Sequence, residues 1–411
     1  MRLTFVLIII PFIIYCQEYE KKAGDFNHEI ILESKFLYEN NILNLASIYN
    51  LLDGNKLTNL ERNNIVDLAN GSDLFFDLTN YISYKNNRYN FNIIFSDNNF
   101  LNCNLPNDFM KLLFEGNANP ENQNLNISNS NIRIQRYQQY KISYSFKEKN
   151  YTLTSGISYL SGNYHAALII ENGHIHTAPL GQHIELNYNL LANISDTNKI
   201  NTLKNHGHGI ALDINFNFII EDYNIDLYLR DFGFINWKKG DLYYKEDSTI
   251  FLNGLNIDNI FEWNDSIVRY DINDYTQNIS QKYKSYIPAK FGVSIQQNLD
   301  NNYFQIIKYG VDLRWQPYQD NQALSFSKLE QGINESNYSP LYWLSASKNG
   351  KYISFHPNIS YGGYNTDVNI GISLSIGNKN KLILGTQHLD DIIDYNNSNE
   401  ISFFIIFSKK I

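Results

Sequence analysis

The segment from Ile210 to Arg230 constrains the fold more than any other stretch of the chain. Ile210, Leu212, Ile214, Phe216, Phe218 and Ile220 share one face of an extended strand, opposite Ala211, Asp213, Asn215 and Asn217. Glu221 and Asp222 turn the chain. It resumes with Tyr223, Ile225, Leu227 and Leu229 on one face and Asn224, Asp226, Tyr228 and Arg230 on the other. A period of two is the signature of a strand with two unlike faces. This hairpin is long, and its polar face carries ionisable groups.

The pattern recurs. Tyr140, Ile142, Tyr144 and Phe146 alternate with Lys141, Ser143 and Ser145, and a Lys149-Asn150 turn leads into Tyr151, Leu153, Ile157 and Tyr159. Ile307 to Trp315 and Val368 to Ile376 repeat it. Strands of about 9 to 13 residues exceed the usual soluble length and suit a tilted bilayer crossing. Alternation alone fits a sandwich with its apolar faces packed inward or a barrel with them turned to lipid. Strand length and the aromatic load of 31 Tyr and 25 Phe favour the barrel. Tyr140, Tyr159, Tyr223 and Trp315, at strand ends, are where interfacial girdles would lie. Their other reading is ordinary aromatic packing.

The N-terminus agrees. Arg2 precedes an apolar run from Leu3 to Tyr15, too short for a membrane helix but suited to a signal peptide. Residues 1–16 are therefore expected to be a signal peptide. Removal after Cys16 and lipidation of Cys16 both fit, with the bulky Tyr15 favouring removal. Cys103 would then have no partner for an intramolecular disulfide. A net charge of −9 gives no basic surface for nucleic acid.

The expected fold is all-β: an antiparallel transmembrane barrel of about 14 strands over 75–411. Residues 17–74 are expected to form an irregular or helical plug-like segment, since Ile42 to Val66 lacks strand alternation. Asp108 to Glu115 reads as a short helix with Asp108 as N-cap and Phe109, Leu112 and Leu113 on one side. Asn253 to Lys282 reads as an ordered external loop.

Five segments carry a family resemblance: DFMKLLFEGN from Asp108, RIQRYQQYKISYS from Arg133, HGIALDINFNFII from His208, LRDFGFINWKKG from Leu229 and YIPAKFGVSI from Tyr286. In order and spacing they resemble a family of outer-membrane proteins found mainly in Bacteroidota and known as a domain of unknown function. That family is distantly similar to long-chain fatty acid transporter-type barrels and to accessory barrels of type IX secretion. The resemblance implies a barrel near 14 strands with an N-terminal segment reaching into it. Two departures stand out: Asn44-Leu45-Ala46-Ser47 replaces an early Asn-Pro-Ala-like motif, and the final strand lacks a terminal aromatic residue.

Catalytic signatures are missing from the sequence: no Gly-rich phosphate loop, no nucleophile elbow and no His-Glu-x-x-His. The chain is not expected to be an enzyme or to carry a cofactor. His174 with His176, and His206 with His208, could each share a strand face near His165, but no carboxylate or thiolate completes a ligand set by spacing, so no metal is assigned. Phe232, Phe234 and Trp237 are the candidate ligand gate or pocket; the alternative puts Trp237 at the membrane interface with Lys238 and Lys239 reaching head groups. Asp213, Asp226, Arg230, Asp312 and Arg314 are expected to neutralise one another in the lumen. The functional expectation is an outer-membrane barrel, surrounded by lipid, that binds or moves small hydrophobic molecules. A non-catalytic surface-assembly or secretion-accessory scaffold, with other envelope proteins as partners, is the alternative.

Overall fold

A computed structural model describes residues 27–41, 44, 47, 53–54, 72–116, 122–179, 182–195, 205–238, 240–253, 282–299, 303–318, 326–350, 352–364, 366–394 and 398–411. The first half of the chain gives β1 (His28–Asn40), β2 (Ser72–Asn86), β3 (Phe91–Leu105), α1 (Asn107–Glu115), β4 (Asn124–Asn126), β5 (Ser130–Lys147), β6 (Tyr151–Thr177) and β7 (His183–Ser195). There follow β8 (Gly207–Ile220), β9 (Tyr223–Trp237), β10 (Gly240–Asn253), β11 (Tyr283–Tyr286), β12 (Ala289–Asn298) and β13 (Ile306–Trp315). The chain ends with α2 (Phe326–Asn334), β14 (Ser339–Asn349), β15 (Ile353–Gly363), β16 (Val368–Ile376), β17 (Asn380–Thr386), α3 (Leu389–Ile393) and β18 (Glu400–Lys410).

Fourteen of these strands close a ring. Starting from β1 the order is β2, β3, β5, β6, β8, β9, β12 to β18 and back to β1, every neighbour antiparallel. Closure leaves the ring without the unpaired edge that an open sheet presents. One rim carries short turns. Asn90 and Glu221 take the left-handed conformation there, at φ 55 and 52. The opposite rim carries α1, α2, α3 and the strands outside the ring.

The faces are inverted relative to a soluble protein. Ile142, Ile157, Ile210, Leu212, Ile214, Leu227, Ile370 and Phe403 are exposed on the outer surface. Gln139, Ser158, Ser294, Asp312 and Ser402 are buried inside. An apolar belt outside and polar groups inside is the arrangement of a membrane-spanning barrel. Tyr140 and Tyr159 stand outward in adjacent strands with ring centroids 6.0 Å apart. Trp315 departs from the girdle expectation. It is buried, because α2 folds over it and Gly332 lets the helix approach so closely that a Cβ there would meet its indole.

Three other expectations need correction or placement. His28–Asn40, expected within the plug-like segment, is a full wall strand paired on both edges. Its alternation is interrupted, with Ser34 among the outward Ile30, Leu32 and Phe36, and with Ile31 and Leu37 among the inward residues. The helix α1 begins after Pro106, so Asp108 lies in its first turn. Its carboxylate accepts the Asn126 N–H at 2.9 Å and pairs with Lys111 at 3.2 Å. Residues 1–26 and 254–281, and with them the expected signal peptide and most of the expected loop, lie outside the described residues, as does most of 42–71.

Beyond the long-connection rim the sheet continues. Past Gly162, β6 leaves β8, keeps β5 to Ile170, takes β4 at His174–His176 and pairs with β7, which pairs in turn with β10.

Candidate functional site: the polar lumen and the irregular wall at Asp231

The lumen is crossed by charge-assisted pairs. Lys141 of β5 contacts Asp213 of β8 and lies 2.9 Å from Asp231 of β9. Gln139 donates to Asp231 at 2.7 Å and to Ser158 at 3.0 Å. Lys290 meets Asp312 at 2.7 Å, Lys308 lies 3.8 Å from Asp226, and Arg314 lies 4.0 Å from Asp77. Contrary to expectation, Asp213, Asp226, Asp312 and Arg314 are thus neutralised not by one another but by charges elsewhere in the ring. Lys141, Lys290, Lys308 and Asp77 sit on other strands, and only the ring order brings them across. Arg230 instead covers the Tyr228 ring, 4.5 Å from its centroid.

Between these pairs lies a polar cavity of about 340 Å³ lined by residues such as Lys35, Asp226, Lys290, Arg314 and Asn358. Toward the long-connection rim, side chains fill the interior. Phe75 stacks on Tyr364 at 3.4 Å and meets Phe100 edge-on, with Leu37 in the same cluster. The Arg314 guanidinium lies over the Phe75, Tyr338 and Tyr364 rings. A second cluster joins Tyr137, Leu160, Ala211, Ile235, Trp237 and Ile287. Burying Arg314 among rings is tolerable because each ring face is electronegative and Asp77 lies close.

Register shifts occur in the wall between β5 and β6, between β14 and β15, and between β8 and β9, and at the last of these β9 also changes partners. Along β9, Tyr223 to Arg230 pair with β12, whereas Phe234 to Trp237 pair with β11; residues 231–233 pair with neither. On the other edge the register with β8 shifts between Leu212 and Ile214. Asp231 has φ 55, a left-handed conformation disfavoured for a side chain bearing a Cβ, and its N–H donates to Asp213 at 2.8 Å. This is a β-bulge, and one extra residue turns every later side chain to the opposite face.

That inversion decides where the candidate gate residues lie. Leu229 faces outward, and so does Phe232, three residues on. Phe232 lies 5.2 Å from Trp315, and Phe234 meets Tyr286 edge-on at 6.5 Å. Trp237 points inward and is fully buried, its indole N–H donating to Ser285 at 2.8 Å. It lies against Gly162, where a Cβ would fall 2.7 Å from the ring, and against Gly207. The structure thus groups Phe232 and Phe234 with Tyr286 and Trp315 and separates Trp237 from them. Trp237 is covered by protein and not exposed on the outer surface.

The sequence histidines do not converge with acidic groups among the described residues. His208 contacts the Tyr159 hydroxyl. His165, past the point where β6 leaves β8, stacks on Trp237 at 5.5 Å, and its Nδ1 lies 3.1 Å from the Tyr283 hydroxyl. Burial, reinforced by Arg133, pushes its imidazole down to about 3, so it is neutral at ordinary pH.

The Family of unknown function (DUF5723) matches residues 34–387. Nothing among curated proteins matches the chain. Solved structures similar to it include the toluene transporter TodX of P. putida, 6% identical over 94% of this chain and 91% of that one at a TM-score of 0.42. The Ralstonia pickettii toluene transporter TbuX is 10% identical over 94% and 90% at 0.39, and a Pseudomonas aeruginosa FadL homologue 8% identical over 93% and 89% at 0.42.

Proposed function

The chain belongs to the DUF5723 family of unknown function, and we propose that it is an outer-membrane barrel that admits small hydrophobic molecules through its wall. The observation that carries this reading is the bulge at Asp231. There the wall gives up its β12 pairing for three residues, directly beneath the outward Phe232, Phe234 and Tyr286, which pack against the buried Trp315. Aromatic side chains at such a point offer an apolar landing surface for a solute already dissolved in lipid. The axial route is obstructed by the clusters around Tyr364 and Trp237, and the lumen below is lined with charge. A hydrophobic solute therefore meets a lower desolvation barrier at the wall than along the axis. In this reading Phe232 and Phe234 shape the opening, and Trp237 pins the wall behind it.

The test is a titration of the purified barrel in detergent with a medium-chain fatty acid and with toluene, followed by intrinsic tryptophan fluorescence. Saturable quenching that Phe232→Ala and Phe234→Ala weaken supports the wall route. Saturable quenching unchanged by both variants places the ligand elsewhere, and no saturable signal with either probe removes the hydrophobic-ligand reading.

One observation favours a second reading. The sheet of β4, β6, β7 and β10 stands beyond the ring as a continuous platform, which suits a non-catalytic scaffold for other envelope proteins. Co-purification of a stoichiometric partner lost on shortening β6 and β7 would support it.

A further inference from the structure

The barrel closes where β1 meets β18, and at the last pairing of that seam Glu39 stands directly opposite Glu400. Like charges facing each other across a ladder repel, and burial strengthens the repulsion. Both carboxylates are nonetheless buried, at 9% and 2% exposure. His388, 1% exposed in the connection between β17 and α3, reaches between them: its Nε2 lies 2.7 Å from Glu400 Oε2 and 3.6 Å from Glu39 Oε1. One oxygen of each carboxylate and the imidazole nitrogen all fall within 4.8 Å of one another.

We propose that Glu39, His388 and Glu400 bind a divalent transition-metal ion of the zinc class, which ties the first strand of the barrel to the last. Four observations on separate atoms meet here. The three donors are of the types that such an ion takes, one imidazole nitrogen and two carboxylate oxygens. Glu39 Oε2 is buried without a hydrogen-bond partner in a residue more than nine-tenths covered, so its lone pairs are left for something the protein does not supply.

The imidazole is held as a ligand would be. Its Nδ1 lies 2.9 Å from Ser402 Oγ, which also accepts the Gln387 N–H at 2.8 Å, and this fixes the ring with Nε2 turned to the glutamates. Charge is the fourth. Two carboxylates and a neutral imidazole carry −2, which a dication cancels and a single proton does not. Arg314 and Lys35 act on Glu39 only at a distance: the Arg314 guanidinium is turned to Asp77 and the Tyr364 hydroxyl, and neither cation makes an ion pair with Glu39 among the described residues.

The ion would have a way in from the rim. Glu400 also borders a polar pocket of about 310 Å³ with Asp367, Asp390 and Asp391, a vestibule of negative charge that concentrates cations. Glu39 and His388 border the lumen cavity on the other side. The site thus lies in the partition between the two, and its occupancy does not depend on whether the wall at Asp231 passes hydrophobic molecules.

The experiment uses the full chain, folded in detergent, stripped with a chelator and dialysed. It is titrated with Zn²⁺ by calorimetry and with Co²⁺ by visible absorption. The expected result is one ion per chain, with an intense cobalt band that the aqueous ion lacks. Binding should fall by at least about a hundredfold in Glu39→Gln and His388→Gln, and about tenfold in Ser402→Ala, which removes only the group orienting the ligand. Zinc should raise the thermal midpoint of the wild type and leave those of the two ligand variants unchanged.

A wild-type cobalt spectrum identical to that of the aqueous ion overturns the proposal without recourse to any variant. Stoichiometric binding undiminished in folded His388→Gln overturns it as well, since the ion then sits elsewhere, for instance on the exposed His174. No zinc binding with unchanged barrel stability in chelator would assign the three side chains to a shared proton instead.

Discussion

The seam between β1 and β18 and the wall formed by β8, β9, β12 and β11 solve the same problem differently. In the seam, register runs unbroken from Glu29 opposite Lys410 to Glu39 opposite Glu400, with Leu32, Phe36, Phe403 and Phe407 outward throughout. In the wall, register breaks at Asp213 and Asp231, the face of every residue after Asp231 is inverted, and β9 changes partners. Backbone pairing holds the seam, so it tolerates an awkward pair of glutamates at its end. The wall lacks that continuity and is held by side chains: Lys141 bridging two aspartates inside, Trp237 seated on Gly162 and Gly207, and aromatic rings outside. At Asp231 the irregularity sits where side chains take over from the ladder.

The comparison breaks most sharply at Trp237. Trp237→Ala removes the ring that fills the space over two glycines and should cost about 3–5 kcal/mol. Heat-modifiability gels on detergent extracts would show it as a large drop in the temperature at which the folded band is lost. A drop no larger than that of an exposed control such as Tyr309→Ala would mean the wall is held by its ladder after all.

Lys141→Met comes next. It leaves Asp213 and Asp231 facing each other and should cost about 2–3 kcal/mol, below the range for a fully buried pair because Asp231 is 32% exposed. Urea unfolding of the variant measures this. Adding Asp213→Asn should recover part of the loss, and no recovery would show that the lysine acts by packing rather than charge.

Acid should act on the same region through His165. Its folded-state value of about 3 lies below the ordinary histidine value of 6.5, so below pH 6.5 the unfolded chain takes up a proton that the folded one refuses. Stability is then greatest above pH 6.5 and falls toward pH 3, by about 2 kcal/mol at pH 5. Thermal midpoints measured from pH 7.5 to 5 should decline in the wild type and less steeply in His165→Gln. Parallel declines would exclude His165 as the source.

The smallest effect sharpens the comparison without altering the sequence. Amides at 231–233 should exchange with deuterium faster than those at 34–36 in the seam. Equal rates would mean that the bulge opens no more often than a regular ladder.

Much of the ring was legible in the sequence because its faces are inverted relative to a soluble protein. An outward apolar face gives Ile210 to Ile220 and Val368 to Ile376 an uninterrupted period of two. β1 does not read as a strand because Ser34 stands among the apolar residues of its outward face, while Ile31 and Leu37 sit among its inward residues. The bulge left a trace, the step of three from Leu229 to Phe232, but two aromatic residues and a tryptophan in a row read equally well as one cluster. Its cause, a backbone conformation at Asp231, carries no signal of its own. The ion pairs and the three groups at the seam were not legible at all. Glu39, His388 and Glu400 are brought together only by ring closure, which no local spacing encodes. The helix cap differs for a simpler reason: Pro106, in an extended conformation, takes the N-cap position two residues before the expected Asp108.

The 27 residues of β6 have a mechanical consequence. From Ala166 to Thr177 the strand runs on for roughly 35–40 Å at the usual rise per residue. It is a single strand, with extra residues at Asn163 against β5 and at Glu171 against β7, that acts as a rod joining the platform to the barrel wall. A pull on the platform along that rod would load the β5–β6 and β6–β8 ladders lengthwise, so that many backbone hydrogen bonds resist together instead of opening one at a time. Tension applied at the platform would therefore reach the wall beside β8 and β9 before it reached the seam on the far side of the ring.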